Sequence, residues 1–403
     1  MRVLTRWRLA GVLGAAVATG CGARAGIRAA VERDSAGVVI VETSAPILGP
    51  GYDIRIDSVP TVDIGGGTDP RYEFGPDSRI IRLAEGSIVV GDRRGLRWFD
   101  PRGAWVRSVG REGSGPAEVR QIDLLGHFGD SVLVYDGGQR RISVFDSGGA
   151  YGRATATLSH DSAGEAFPLA VLSDGRLLLG TYPEPARVNG VRRDSLALSI
   201  GAPDGRIIAH IGRFPWVDQL IEVQRDGVSM GRVPFARLAA GATFDSLTLV
   251  ATNEQFRLDW YDARGRLRRS IRRPWTAVMV TEADLRAQVD EWLESFPAGM
   301  EGRKAKAREM WMAAPRLRAK PPYDRVVVSD SGDVWVEEYG EPGRKRRPSI
   351  YSVFDRIGRW QTQVSVPAGV EPVAIGVRGM VATWHDQDDA THVRVYQLSR
   401  SRR

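Results

Sequence analysis

The stretch Trp98-Phe99-Asp100-Pro101-Arg102-Gly103 decides how this chain is read. An apolar run ends in an aromatic residue and passes into Asp-x-x-Gly. The step returns at Val144-Phe145-Asp146-Ser147-Gly148-Gly149, at Trp260-Tyr261-Asp262-Ala263-Arg264-Gly265 and at Val353-Phe354-Asp355-Arg356-Ile357-Gly358, with a degenerate copy at Ile200-Gly201-Ala202-Pro203-Asp204-Gly205. Asp accepts hydrogen bonds from nearby backbone N–H groups and Gly tolerates positive φ, so each copy predicts a strand entering a tight hairpin. A second turn precedes each copy. Leu83-Ala84-Glu85-Gly86-Ser87 leads into Ile88-Val89-Val90, and Phe128-Gly129-Asp130-Ser131 into Val132-Leu133-Val134-Tyr135. The same turn-then-apolar pattern opens at Ser173, Phe244, Ser329 and Arg378. A short continuous apolar run bounded by turns predicts a strand buried on both faces.

Together the signals define a repeating four-stranded meander of about 40–50 residues, the unit of a β-propeller blade. Six units are expected, at 79–110, 120–158, 166–212, 236–272, 322–367 and 371–398. The fold class predicted is all-β: a six-bladed β-propeller spanning 38–403. The last unit shows only three strands, at Val373–Val377, Met380–Trp384 and Val393–Leu398. An unpaired edge invites aggregation, so Val59–Ile64 is expected to supply the missing strand and close the ring. Val38-Val39-Ile40-Val41 reads as a further edge strand. A sandwich needs far fewer strands, a solenoid has shorter and more regular periods, and α/β folds need alternating helices.

The N-terminus reads as an export signal. Arg2, Arg6 and Arg8 precede an apolar run from Leu9 to Val17 that is too short to cross a bilayer. Ala18-Thr19-Gly20-Cys21 then resembles a bacterial lipobox, with Ala18 where Leu is usual. Cys21 is the only cysteine of the chain, so it serves no internal disulfide. The expectation is a lipoprotein signal peptide over 1–21, lipidation at Cys21, a tether over 22–37, and an exported chain anchored to the cell envelope. Gly22 in place of Asp favours the outer membrane of a diderm cell. The sequence carries a formal charge of +7, but the three signal arginines account for much of it. That leaves no case for nucleic acid as a partner.

One stretch departs from the β pattern. Between the fourth and fifth units, 281–320 reads as a helical hairpin. Thr281 with Asp284 forms a capping-box-like start. Leu285, Val289, Trp292, Leu293 and Phe296 mark one helical face, and Pro297 and Gly299 stop it. A second helix is expected over Glu301–Ala314, with Ala307, Met310, Trp311 and Ala314 as its stripe. The hairpin is either rim packing or a lid or docking element over one face of the ring, and Met310 and Trp311 are the candidate partner-binding residues. Arg316, Arg318, Lys320 and Arg344-Lys345-Arg346-Arg347 either converge on a basic patch for anionic lipid, glycan or protein, or are scattered loop charges.

A search for chemistry returns little. His127, His160, His210, His385 and His392 show no helical metal-ligand spacing. His385-Asp386-Gln387-Asp388-Asp389-Ala390-Thr391-His392 offers close oxygen and nitrogen ligands, but it falls where the last hairpin must turn. Gly65-Gly66-Gly67 and Gly110–Gly115 do not open helices, so they read as connectors and not as phosphate cradles. No catalytic residue, metal site or cofactor is predicted. The expected role is a binding or scaffolding module for a protein, glycan or peptide. The alternative is a metal-dependent propeller enzyme of lactonase or lyase type.

Gly37-Val38-Val39-Ile40-Val41-Glu42-Thr43-Ser44, Tyr72-Glu73-Phe74-Gly75 and Gly110-Arg111-Glu112-Gly113-Ser114-Gly115-Pro116-Ala117-Glu118 resemble a family of bacterial six-bladed propeller lipoproteins related to NHL-repeat proteins. Val119 stands where the family commonly has Phe. The resemblance implies a six-bladed ring at the cell envelope and no agreed activity.

Overall fold

The computed structural model describes residues 30–401, apart from 50, 157–159, 162–163, 183–187, 226, 232, 295, 297–298, 341–346 and 378. The signal segment and Cys21 lie outside the described residues. The chain is mostly β, with its strands in several largely antiparallel sheets. Six sheets are found among the described residues, spanning 79–109, 122–156, 160–231, 240–272, 323–366 and 371–401. Each builds outward from its first strand in chain order.

The packing follows from the alternation of side chains along each sheet's second strand. In the first sheet Val89 packs with Val132 and Val134 of the second sheet, whereas Ile88 and Val90 pack with Val381 of the last. Leu133 and Tyr135 turn the other way, onto Leu177 and Leu179 of the third sheet. Leu178 then meets Val250, Leu249 and Ala251 meet Val334 and Val336, and Trp335 meets Met380 and Ala382. Neighbouring sheets thus share apolar clusters, and the first strands of neighbouring sheets touch one another in the same order. Each second strand has a core on both faces, as its continuous apolar run predicts. Burying one such Leu, Ile or Val contributes roughly 1.5–3 kcal/mol.

The Asp-x-x-Gly repeat has a plain physical origin. Asp100 Oδ1 accepts from the N–H groups of Arg102 (2.8 Å) and Ala104 (2.9 Å). Asp262 does the same for Arg264 and Arg266, and Asp355 for Ile357, Gly358 and Arg359. The glycine closes the turn with positive φ, 86° at Gly103 and 74° at Gly265. Asp386 repeats the device for Asp388 and Ala390, with Asp389 at φ 60° in the glycine's place. The acidic run before His392 therefore uses the same turn chemistry, here between the second and third strands of the last sheet.

The last sheet takes its outer partners from the N-terminal region. Val62–Ile64 pairs antiparallel with Val393–Val395, and Asp53–Ile56 pairs with Leu398–Ser401 further along the same strand. The paired residues lie at one end of the predicted 59–64 segment, and a second strand joins them. Gly65 leaves at φ 147°, and a Cβ there would sit 2.9 Å from both the His392 Cα and the Thr391 carbonyl oxygen. Val38–Thr43 is a strand as expected, but not an edge: it lies between Ala30–Ser35 and the fourth sheet. It pairs in parallel with Leu267–Arg272 of the fourth sheet.

Two expectations need correction. Ala30–Ser35, read as part of the tether, is a strand paired with Val38–Thr43. Its residues are mostly exposed, and so they lack the apolar periodicity by which strands are recognised. The third unit does not end at 212. Gly190–Gly201 and Ile207–Gln224 form one long ribbon, extended by Gly227–Gly231. Register shifts at three points along that ribbon break its alternation, which hides it from a period-two reading.

Candidate functional site

Turns after the first and third strands lie at one end of each meander. Connections after the second and fourth strands lie at the other, the mouth end. The mouth end carries the molecule's irregular parts: the overshooting ribbon, the helical hairpin and the tied loop 110–119.

The hairpin forms where the sequence places it, as α1 (Glu282–Glu294) and α2 (Glu301–Ala313). The capping box is reciprocal. Asp284 N donates to Thr281 Oγ1 at 3.1 Å, and Thr281 N donates to Asp284 Oδ2 at 2.8 Å. Leu285, Val289, Leu293 and Ala307 bury against Phe235, from the loop that follows the third sheet. Phe235 N donates to Gln288 Oε1 at 2.9 Å. Lys320, only 6% exposed, clamps the base through Asp284 at 2.9 Å. That contact, with the Thr281 hydrogen bonds, holds the Asp284 carboxyl well below the usual carboxylate range. Arg316 pairs with Glu282. Two of the expected basic-patch residues are therefore fastenings of the hairpin, and Arg344, Lys345 and Arg346 lie outside the described residues.

The two candidate partner-binding residues part company. Met310 is 55% exposed. Trp311 packs edge-on against Trp292 at 5.1 Å and against Phe296 at 5.9 Å, joining the two helices.

α1 reaches across the mouth as far as the last sheet. Its Glu291 lines a cavity of about 170 Å³ together with Glu337, Tyr351, Glu371, Trp384 and Asp386. Arg325 lies at its centre, with Nη2 2.8 Å from Glu371 Oε2 and Nε 3.9 Å from Glu337 Oε2. Tyr351 Oη donates to Glu337 Oε2 at 2.9 Å. Burial first, then Glu337, pushes the Tyr351 phenol far above its ordinary value. Burial opposes the charge on Arg325, but Glu371, Tyr351 and Glu337 outweigh it and raise the guanidinium. Tyr351 therefore stays a hydrogen-bond donor and Arg325 a cation across the accessible pH range, which suits the group to holding charge and not to passing protons.

Arg325 and Glu371 also line a second cavity of about 480 Å³ between the first strands, with Arg82, His127, Asp330 and Val373. That cavity shares Pro76, Ser78 and Arg79 with a third, of about 590 Å³, at the junction of the first and second sheets. Shared lining residues make the three one cleft, whose central part runs from the mouth down between the first strands to His127, Asp330 and Gly376.

Two of the three segments of the family resemblance serve to fix backbone, and Gly75, at the end of one of them, lines this cleft. Arg97, 5% exposed, donates to the Glu73 carbonyl at 2.7 Å, pairs with Asp92 and lies over the Phe74 ring. Glu118 takes the Gly115 N–H at 2.7 Å and Arg111 Nε at 2.7 Å. Arg141 and Gln139 donate to the Glu118 carbonyl at 2.6 and 3.1 Å. Gly110–Gly115 is thus a connector tied by side chains of the second sheet.

The histidines are dispersed. His210 Nδ1 lies 3.0 Å from Ser199 Oγ. His392 sits between Asp63 at 2.7 Å and Asp386 at 3.4 Å, which joins the closing strand to the Asp386 turn. Among the described residues, no group of three or more His, Cys, Asp or Glu side chains is placed to hold a metal ion. No described helix is long and apolar enough to cross a membrane.

No family model and no curated protein matches this sequence. Among solved structures, the chain is similar to a putative exported protein from Bacteroides fragilis, at 10% identity and TM-score 0.47, over 90% of this chain and 99% of that one. It is similar to a member of the DUF4221 family from Bacteroides vulgatus, at 8% identity and TM-score 0.46, over 87% and 100% of the two chains. A virginiamycin B lyase from Staphylococcus aureus follows at 8% identity and TM-score 0.36, over 86% and 99%. None of these likenesses bears on ligand or activity.

Proposed function

We propose that this chain is an envelope-anchored, closed six-bladed β-propeller that binds a ligand in the cleft across its mouth. The observation that carries the reading is the continuity of the three cavities through shared lining residues, from the first-second junction to the fifth-sixth, where Glu291 of α1 lines the last of them. Concave sites with a few fixed polar groups are the usual ligand sites of rigid scaffolds. Closure of the ring is supported by the cluster that joins Val381, Val393 and Val395 to Ile88 and Val90.

The anchor is lipid at Cys21, and the N-terminal strands indicate how the ring is held. Glu32 lies 3.8 Å from Arg359, and Ile47 N donates to the Trp360 carbonyl at 3.0 Å. Both contacts fall at the Asp355 turn, opposite the mouth. Ala30 itself pairs with Thr43, beside Arg272, at the mouth end of these outer strands.

Two measurements test this. In cells, labelled palmitate enters the wild-type chain and not Cys21→Ser; equal labelling removes the anchor. Native mass spectrometry of the chain from residue 22, after incubation with a small-molecule extract of the envelope, shows an added mass. Val373→Trp, which fills the central cavity, abolishes it. An added mass that survives this variant places binding elsewhere, and no added mass at all refutes a ligand of that source.

A further inference from the structure

Three polar side chains meet at the deep end of the central cavity without engaging one another directly. Arg82 ends the first strand of the first sheet, His127 lies near the end of that strand in the second, and Asp330 lies in the first turn of the fifth. All three line the cavity of about 480 Å³. Among the described residues no hydrogen bond or ion pair engages their side chains. They act on one another through space. Burial raises the Asp330 carboxyl above its ordinary value, and His127 and Arg82 oppose that rise. The sixth sheet packs against the carboxylate and the guanidinium. Asp330 N donates to the Ile375 carbonyl at 2.9 Å. A Cβ at Gly376 would lie 3.1 Å from Asp330 Oδ2, and one at Gly379 would lie 3.0 Å from Arg82 Nη1. The hairpin thus carries no side chain at the two points where the charged groups reach it.

Taking the mouth as the ligand site, we infer that its ligand carries an oxyanion, a carboxylate or a phosphate or sulfate ester, that docks beside Arg82, and that acid opens this place to it. The Arg82 guanidinium is a permanent cation whose fork fits two oxygens. In neutral solution the Asp330 carboxylate balances it and repels an incoming anion. Acid changes both neighbours of Arg82 in the same direction. Histidine changes charge within about pH 5–8, and a proton on His127 adds a cation to the cavity. A proton on Asp330, taken up in stronger acid, turns an acceptor into an O–H donor. Each step adds one positive charge where Coulomb forces are less screened than in bulk water. The other charged lining groups do not reverse this. Arg79 is a further cation, with Nε on the Asp123 carbonyl at 3.0 Å, and Arg325 and Glu371 form an ion pair. A cationic ligand would meet Arg79 and Arg82 at every pH.

The test adds sulfate or formate, both ionised throughout, to the chain from residue 22 at pH 8 and at pH 5. Binding is followed by titration calorimetry and by imidazole NMR signals, with His127 assigned through His127→Gln. Affinity should be about tenfold higher at pH 5, the scale of one charge-assisted hydrogen bond, and the His127 signal should move. The tighter of the two anions names the group that the ligand carries. Asp330→Asn removes the competing carboxylate, so affinity at pH 8 should rise about tenfold and leave a smaller pH step to His127. Arg82→Met should abolish binding at both pH values. Wild-type affinity that does not rise at pH 5 overturns the gate, as does an Asp330→Asn chain that binds no better than wild type at pH 8. No binding at pH 5, or binding that leaves the His127 signal unmoved, overturns the oxyanion site. An added mass lost in Val373→Trp would then still place a ligand of other chemistry in the mouth. Should a variant not fold, the two wild-type titrations decide the matter.

Discussion

The two ends of this molecule are built on different principles. At the turn end four sheets finish their third strand in the same hairpin, at Asp100, Asp146, Asp262 and Asp355, because one backbone geometry needs one acceptor and one residue of positive φ. At the mouth end no two sheets are finished alike. The third carries a ribbon to Gln224, the fourth leads into α1 and α2, and the first leads into the loop tied by Glu118. The turn end is constrained by the chain's own hydrogen bonds. The mouth end is free to vary because the apolar cores beneath it already hold the sheets, and variation there costs little stability.

That contrast can be broken most severely at the closing seam. A chain beginning after Ile64 lacks both outer partners of the last strand. It should fail to give a monomeric, cooperatively unfolding species by gel filtration and thermal melting. A stable monomer would show that the last sheet needs no N-terminal strands. Next comes the shared core. Trp335→Ala, at a site with 0% exposure, should lower unfolding stability by about 3–5 kcal/mol in denaturant titration. A loss below about 1 kcal/mol would mean that the fifth and sixth sheets are not packed as described.

The clamp at the base of the hairpin sharpens the contrast. Lys320→Met removes the charged partner of Asp284, whose carboxylate keeps its Thr281 hydrogen bonds, and should cost about 1.5–3 kcal/mol. Hydrogen exchange over 282–313 should rise with exchange in the sheets unchanged; equal rises everywhere would make the hairpin part of the sheet core. The pH dependence has a definite sign. The folded pKa of Asp284 is depressed, so its contribution is fully present above the unfolded value of about 3.9. It is lost only as pH falls through the lower folded value. Exchange protection of α1 should therefore hold from neutrality to about pH 4 and fail in stronger acid.

The smallest effects separate the two ends most cleanly. Asp355→Ala removes an acceptor of three backbone N–H groups and should cost about 1.5–3 kcal/mol. Arg93→Ala, at the mouth, should stay within about 0.5 kcal/mol of wild type. Comparable losses would mean that the mouth is as constrained as the turns.

Where the sequence was legible, local chemistry repeats. The four Asp-x-x-Gly copies, the doubly buried second strands and the capping box at Thr281 each follow from hydrogen bonding or side-chain alternation within a few residues. The turn at Asp386 was expected, but not its likeness to the repeat, because Asp389 replaces glycine, although the spacing from Asp386 to Ala390 matches that from Asp100 to Ala104. Met310 and Trp311 sit one residue apart on a helix, and the sequence gives no sign that one faces solvent and the other the partner helix. The ribbon of the third sheet was hidden by its bulges.

By itself, then, the sequence determined the meander, the buried strands, the hairpin of helices and the need for an N-terminal strand on the last sheet, because each is a matter of residues close in the chain. Tertiary structure alone decided the cleft. Arg82, His127 and Asp330 come from three separate sheets. Only the stacking of sheets around common cores brings their charges to one end of one cavity.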